Sequence, residues 1–216
     1  MNPYRYDRLF AAFGVAFVVL ELAGLGLGGS IHQLTISSSN GHLAQVLAKP
    51  APTRSWIGAY LELSSFGCFL AFAVWASAKL GGGALGQFAR AAGTSYATVS
   101  IASLAVVDAL SYRAGKGIDL QLGRTLVTVN EALYVSSWFL AAFFLLAAGA
   151  LALSRSRRLL GWSAIGVALY TLAAAPSFSN LGQFSTLLFF VWTLCASITL
   201  ARGTRAASSA AVVQHA

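Results

Sequence analysis

The side chains in this sequence best suited to chemistry are carboxylates that fall inside apolar runs. Glu131 lies in 127–153, VTVNEALYVSSWFLAAFFLLAAGALAL, a stretch long and apolar enough to cross a membrane. A charge there is expensive, so the acid is a candidate functional group whose partners must be found. Glu21 within 9–28, Glu62 within 56–78 and Asp108 near the end of 92–112 repeat the pattern, and no basic residue lies inside these runs. Carboxylates brought together share protons. A protonated acid beside an ionised one is the arrangement of general acid–base catalysis and equally of proton coupling.

The helical period gives each acid a face. Glu131, Tyr134 and Trp138 share one stripe, with Asn130 beside them; Asp108 shares a face with Ser111 and Tyr112, and Glu62 one with Ser65, Phe66 and Phe69. Glu21 falls on the stripe Gly14, Phe17, Gly24, Gly28, where a neighbouring helix can approach closely. Aromatic walls with a few placed polar groups suit a small lipophilic or cationic guest. The expected assignment makes Glu131, Asp108 and Glu62 the acid and base, with Glu21, Asn130, Tyr134, Trp138, Tyr112 and Phe66 around a substrate. The plain alternative is structural. Each carboxylate is then separately protonated, or paired with a loop arginine such as Arg54, Arg113 or Arg124, and Tyr134 and Trp138 are packing or interface aromatics.

Placing these residues requires a membrane. Of 216 residues 57% are hydrophobic and 9% charged, and mean hydropathy is +0.73, values outside the range of soluble domains. Hydropathy predicts an all-α, polytopic bundle of six transmembrane helices, at 9–28, 56–78, 92–112, 127–153, 159–175 and 184–201. They form a single domain, 1–205, with a flexible tail, 206–216. The first run is read as a retained helix, since no A-x-A-like cleavage site follows it. The connection 30–55 is the longest and holds a short helix-like HLAQVLA before KPAP; it reads as a surface loop, with an interfacial lid as the alternative. The connections 79–91 and 113–126 and the basic turn SRSRR at 154–158 separate the later helices.

With an inside N-terminus, nine basic residues fall on the inner side and five on the outer, together all 14. That bias places both termini in the cytoplasm. The four acids then lie in the outer half of the bilayer, roughly 6 to 10 Å below its boundary. They are expected to converge on one outward-opening cavity.

Other chemistries find little footing. The net charge of +8 flanks hydrophobic runs, which points to anionic lipid and membrane insertion rather than nucleic acid. His32, His42 and His215 make no paired ligand motif, so no metal centre and no cofactor is expected. Four carboxylates would hold a hard cation only with waters or carbonyls completing the shell. GKG at 115–117 lacks the rest of a phosphate loop, and GWSAIG at 161–166 has the wrong spacing for a nucleophile elbow. Cys68 and Cys195 sit inside apolar runs as small hydrophobes.

A polar-headed fourth helix, a basic turn and then LLGWSAIGVALY at 159–170 resemble an uncharacterised family of small six-helix bacterial membrane proteins. That likeness implies a fold and a bacterial plasma membrane. In size and isolated intramembrane acids the chain also resembles membrane terpene cyclases, which protonate an olefin or epoxide with an acidic side chain. With no DDxxD-type metal motif, such chemistry here would start from a protein acid. The expectation is a membrane enzyme acting by carboxylate acid–base chemistry on an isoprenoid- or lipid-like substrate. A proton- or cation-coupled transporter is the first alternative and a non-catalytic binding or assembly protein the second. Expected partners are membrane lipid, the lipophilic substrate and, compatibly, further copies of the chain.

Overall fold

The computed structural model describes residues 3–175 and 180–213. Among them all regular structure is helical: α1 (Pro3–Leu27), a 3₁₀ turn (Ser30–Gln33), α2 (Asn40–Leu47), α3 (Thr53–Leu80), α4 (Gly83–Arg113), α5 (Leu120–Ser154), α6 (Arg158–Ala174) and α7 (Asn180–Val213). Five of these helices are long and apolar enough to cross a membrane, which makes this a multi-pass, membrane-type bundle. The expected count of six is not reached by length. The fifth expected span is present as α6, but its 17 residues rise only about 26 Å against a hydrocarbon core of about 30 Å.

The six longer helices form a ring. Each packs against the next in sequence, α7 closes against α1, and α3 also touches α5 and α7 across the middle. Arg8 and Arg202 line one groove, so α1 begins and α7 nears its end at the same end of the bundle. This is the terminal end. The 3₁₀ turn and α2 cover the opposite end, where α2 rests on α5.

Two connections are shorter than expected. The segment 79–91 was expected as a loop around Gly81–Gly83, yet α3 runs on to Leu80 and α4 begins at Gly83. Gly83 supplies the turn with φ +73°, a conformation that side chains resist. The segment 113–126 shrinks likewise, because Asp119 caps α5 by accepting from Leu122 N–H at 2.9 Å. The sixth expected helix lies within α7, whose backbone continues through 206–213. The connection expected at 176–183 falls in part outside the described residues, as does His215.

In lipid no hydrophobic driving force holds helices together, so close packing and internal hydrogen bonds must. Small residues permit close approach between α1 and α3. A Cβ added at Gly24 would lie 3.0 Å from Gly58 O and 2.5 Å from Glu62 Cγ; one added at Gly58 would lie 2.9 Å from Gly24 O. Gly149 and Gly161 repeat the device between α5 and α6, each 2.9 Å from the other's carbonyl by the same construction. The centre is filled by rings. Phe17, Phe69, Tyr96 and Phe189 sit with centroids 4.9 to 6.1 Å apart, and Trp138, Phe144 and Trp192 extend the cluster. The set ties α1, α3, α4, α5 and α7 into one plug.

Gly58→Val should therefore lower the stability of the detergent-solubilised protein by about 1 to 3 kcal/mol through overpacking. Gly67→Ala on the same helix, where nothing lies within 4 Å of the added carbon, should be neutral or stabilise by about 0.5 to 1 kcal/mol. Thermal unfolding of the two variants side by side checks both.

Candidate functional site

The site begins at the covered end. Residues 30–52 form a cap whose apolar side, Ile31, Leu34, Leu43, Val46 and Leu47, packs on Val107, Leu110, Ala114 and Val127 of the surrounding segments. Polar contacts hold it at both edges. At its start Glu131 Oε2 accepts from Ile36 N–H, while Arg124 donates to Ile36 O at 3.1 Å, Ser38 O at 2.7 Å and Asn40 Oδ1 at 2.6 Å. At its end Gly115 N–H donates to Leu47 O at 2.8 Å, with Gly115 at φ +74° and its open side against Pro50. The 30–55 connection is therefore packed and hydrogen-bonded onto the end of the bundle rather than standing off it as a surface loop, and it is called the lid below. GKG at 115–117 is the turn that clasps it.

Beneath the lid lie three of the four acids. Glu62 is 2% exposed, and its Oε1 is buried without a hydrogen-bond partner among the described residues. It lies within electrostatic range of Glu21 and Asp108. Glu21 is also buried, and its Oε2 is bonded to Ser65 Oγ. The same Ser65 Oγ donates to Glu62 O at 2.7 Å, one turn back on its own helix. A hydroxyl has one proton and here faces two acceptors. Asp108 is half-buried, so the group grades from enclosed to partly open.

Two serines lie between these acids and the lid. Ser111, one turn above Asp108, and Ser55, about 10 Å above Glu62 along α3, both line a small cavity with Ile31, Val46 and the KPAP segment. Its volume is about 20 Å³, room for about one water. Ser55 Oγ is buried and unpartnered as well. Below the acids the path meets rings: Phe66 packs against Phe17 and Tyr96 with centroids 5.9 and 5.8 Å away. Tyr96 is bonded to Ser100 and within electrostatic range of Glu21.

The remaining expected site residues stand elsewhere. Glu131 bonds Ile36 N–H of the lid and is not among the acids within electrostatic range of Glu62. The expected convergence of four carboxylates on one cavity reduces to Glu62 with Glu21 and Asp108 within its electrostatic range, while Glu131 bonds the lid. Asn130 Oδ1 accepts from Ser103 Oγ at 2.6 Å, tying α5 to α4. Trp138 is buried in the aromatic plug, while Tyr134, its T-shaped neighbour at 6.0 Å, is 44% exposed. Tyr112 turns away from Asp108, 60% exposed, under Lys116 Nζ at 3.5 Å. Neither tyrosine faces an internal cavity with the acids.

Sequence reasoning missed Asp7, taken as part of the lead-in before the first helix. It is buried, paired with Lys79 at 2.7 Å and bonded by Trp75 Nε1 at 3.0 Å, and it joins the start of α1 to the end of α3. The signal was its spacing. Asp7 lies two helical turns below Gly14 on the stripe that Glu21 continues. No three His, Cys, Asp or Glu side chains among the described residues group closely enough to hold a metal ion. Comparison with protein-family models, with curated proteins and with solved structures finds no match for this chain.

Loss of the lid's fastening should be visible at Ile36. Glu131→Ala should speed amide exchange over 34–38 roughly 5- to 150-fold, the effect of removing one buried acceptor worth about 1 to 3 kcal/mol. Glu131→Gln keeps an oxygen for Ile36 N–H and should change exchange much less. Hydrogen–deuterium exchange with mass spectrometry separates the two; equal protection in the alanine variant contradicts the assigned role.

Proposed function

We propose that this protein binds and transfers protons on Glu62, Glu21 and Asp108, as the occluded coupling site of a proton-coupled membrane transporter. The observation that carries this is Glu62, a buried carboxyl with an oxygen unpartnered among the described residues and with Glu21 and Asp108 within electrostatic range. Such a group is stable in hydrocarbon when it holds a proton, and it exchanges that proton through whichever polar neighbour reaches water. Asp108, Ser111 and Ser55 supply that route toward the lid, and the aromatic plug closes the way to the terminal end. A site open to one side and sealed to the other is what alternating access requires of one of its states. The spread of the three carboxylates suits relay of a proton better than chelation of a divalent cation.

In this proposal all six longer helices cross a bacterial plasma membrane. The local thickness adjusts to α6, a modest cost. Both termini are cytoplasmic, because Arg8, Lys79, Arg155 and Arg202 gather at the terminal end. The lid then faces outward.

An acid–base enzyme of the terpene-cyclase kind is the second candidate. The observation in its favour is the wall of Phe66, Tyr96 and Trp138 below the acids, a surface suited to a carbocation or an isoprenoid. A substrate would enter only with the lid lifted.

The test uses the whole protein in proteoliposomes carrying a trapped pH-sensitive dye. An imposed pH gradient should collapse faster than in protein-free vesicles, and Glu62→Gln or the triple Glu21→Gln/Glu62→Gln/Asp108→Asn should return it to the protein-free rate. Infrared spectra should lose a protonated carboxyl C=O band in the Glu21→Gln and Glu62→Gln variants. If flux and carboxyl bands survive the triple substitution, the acids are structural and the proposal fails. Bands lost without any effect on flux would move the assignment to the enzyme.

A further inference from the structure

At the terminal end, where α1 and α7 close the ring, a groove of about 350 Å³ runs between Arg8, Ala11, Ala12 and Val15 on one helix and Ser197, Ile198, Ala201 and Arg202 on the other. The alanines leave the space that larger side chains would fill. Both arginines are exposed, at the mouth of an otherwise apolar trough. No acid balances them: Asp7, next to Arg8, is buried and taken up by Lys79 and Trp75. The groove thus joins two unneutralised guanidinium groups to a strip of apolar surface on the outside of a membrane-type bundle.

We infer that this groove holds one anionic phospholipid from the leaflet at the terminal end, its phosphate between Arg8 and Arg202 and an acyl chain over Ala12, Val15 and Ile198. Guanidinium forks match phosphate oxygens in geometry and charge. The volume is near the lower end of small-molecule sites, enough for a headgroup and the first part of a chain but too small for a helix. The inference rests on the bundle lying in a membrane, and it stands whether or not the buried acids carry protons. A lipid here would pin the start of α1 to α7, the one seam of the ring whose two helices are not consecutive in the chain.

Native mass spectrometry of the full chain in neutral detergent, with phosphatidylglycerol or phosphatidylcholine added back, tests it. One phosphatidylglycerol should bind about thirtyfold tighter than phosphatidylcholine, at about fivefold per arginine. Arg8→Gln/Arg202→Gln should erase that preference, and Ala12→Leu, which fills an exposed part of the trough, should weaken both lipids. The arginine pair is at the surface, so the double variant keeps the test decisive if Ala12→Leu fails to fold. Equal affinity for the two lipids overturns the inference. So does full competition by inorganic phosphate, which would leave an anion site only, or a dimer that dissociates on filling the groove.

Discussion

A carboxylate in hydrocarbon must find a partner or a proton, and the described acids of this chain show how that constraint orders the fold. Asp7 is answered by a lysine and an indole, Asp119 by one amide of the helix it starts, and Glu131 by a backbone amide of the lid. Glu21, Glu62 and Asp108 have no cation and answer one another. Each solution joins different parts of the chain. The Asp7 pair locks α1 to α3 at the terminal end, Asp119 sets where α5 begins, Glu131 holds the cap, and the three remaining acids fill the seam between α1, α3 and α4. The first three are finished structures. The last is unfinished, which is why it is the functional candidate.

Close backbone approach makes the acid group possible. Gly24 and Gly58 let α1 and α3 meet carbonyl to α-carbon, and that contact presses Glu62 against α1 one turn from Glu21. Larger residues at either glycine would hold the helices apart and admit lipid or water between the acids. One turn deeper the same two helices carry Phe17 and Phe66, so the seam passes from glycine to carboxyl to aromatic within a short vertical distance. Polarity at the site is thus bounded on one side by the lid and on the other by rings, rather than spread through the bundle.

Helix identity was legible because five long apolar runs leave little choice of structure, and the end of the bundle toward which the acids lie followed from counting residues to each run's end. Helix ends were less legible. Gly81–Gly83 reads as a loop by composition, yet one tight turn suffices, and Asp119 was a cap signal within a stretch read as connection. Azimuth was the harder quantity. A helix turns by about 100° per residue, so small errors in where a face points decide whether Tyr112 and Tyr134 line a cavity or face outward. Glu131 was read as a member of the cluster because depth was visible in the sequence and its bond to the lid was not. The long connection gave its HLAQVLA helix by pattern, but Arg124 bonds mainly to backbone carbonyls there, and no pattern in the sequence names a carbonyl.

The grip on Ile36 carries one more consequence. An anion and a cation two turns apart on a single helix hold the amide and the carbonyl of one residue. Translation or rotation of α5 loosens both bonds together, since they share a rigid rod on one side and a single peptide neighbourhood on the other. The cap is therefore held at one residue by a single helix, α5, which also touches α4, α6 and the central rings.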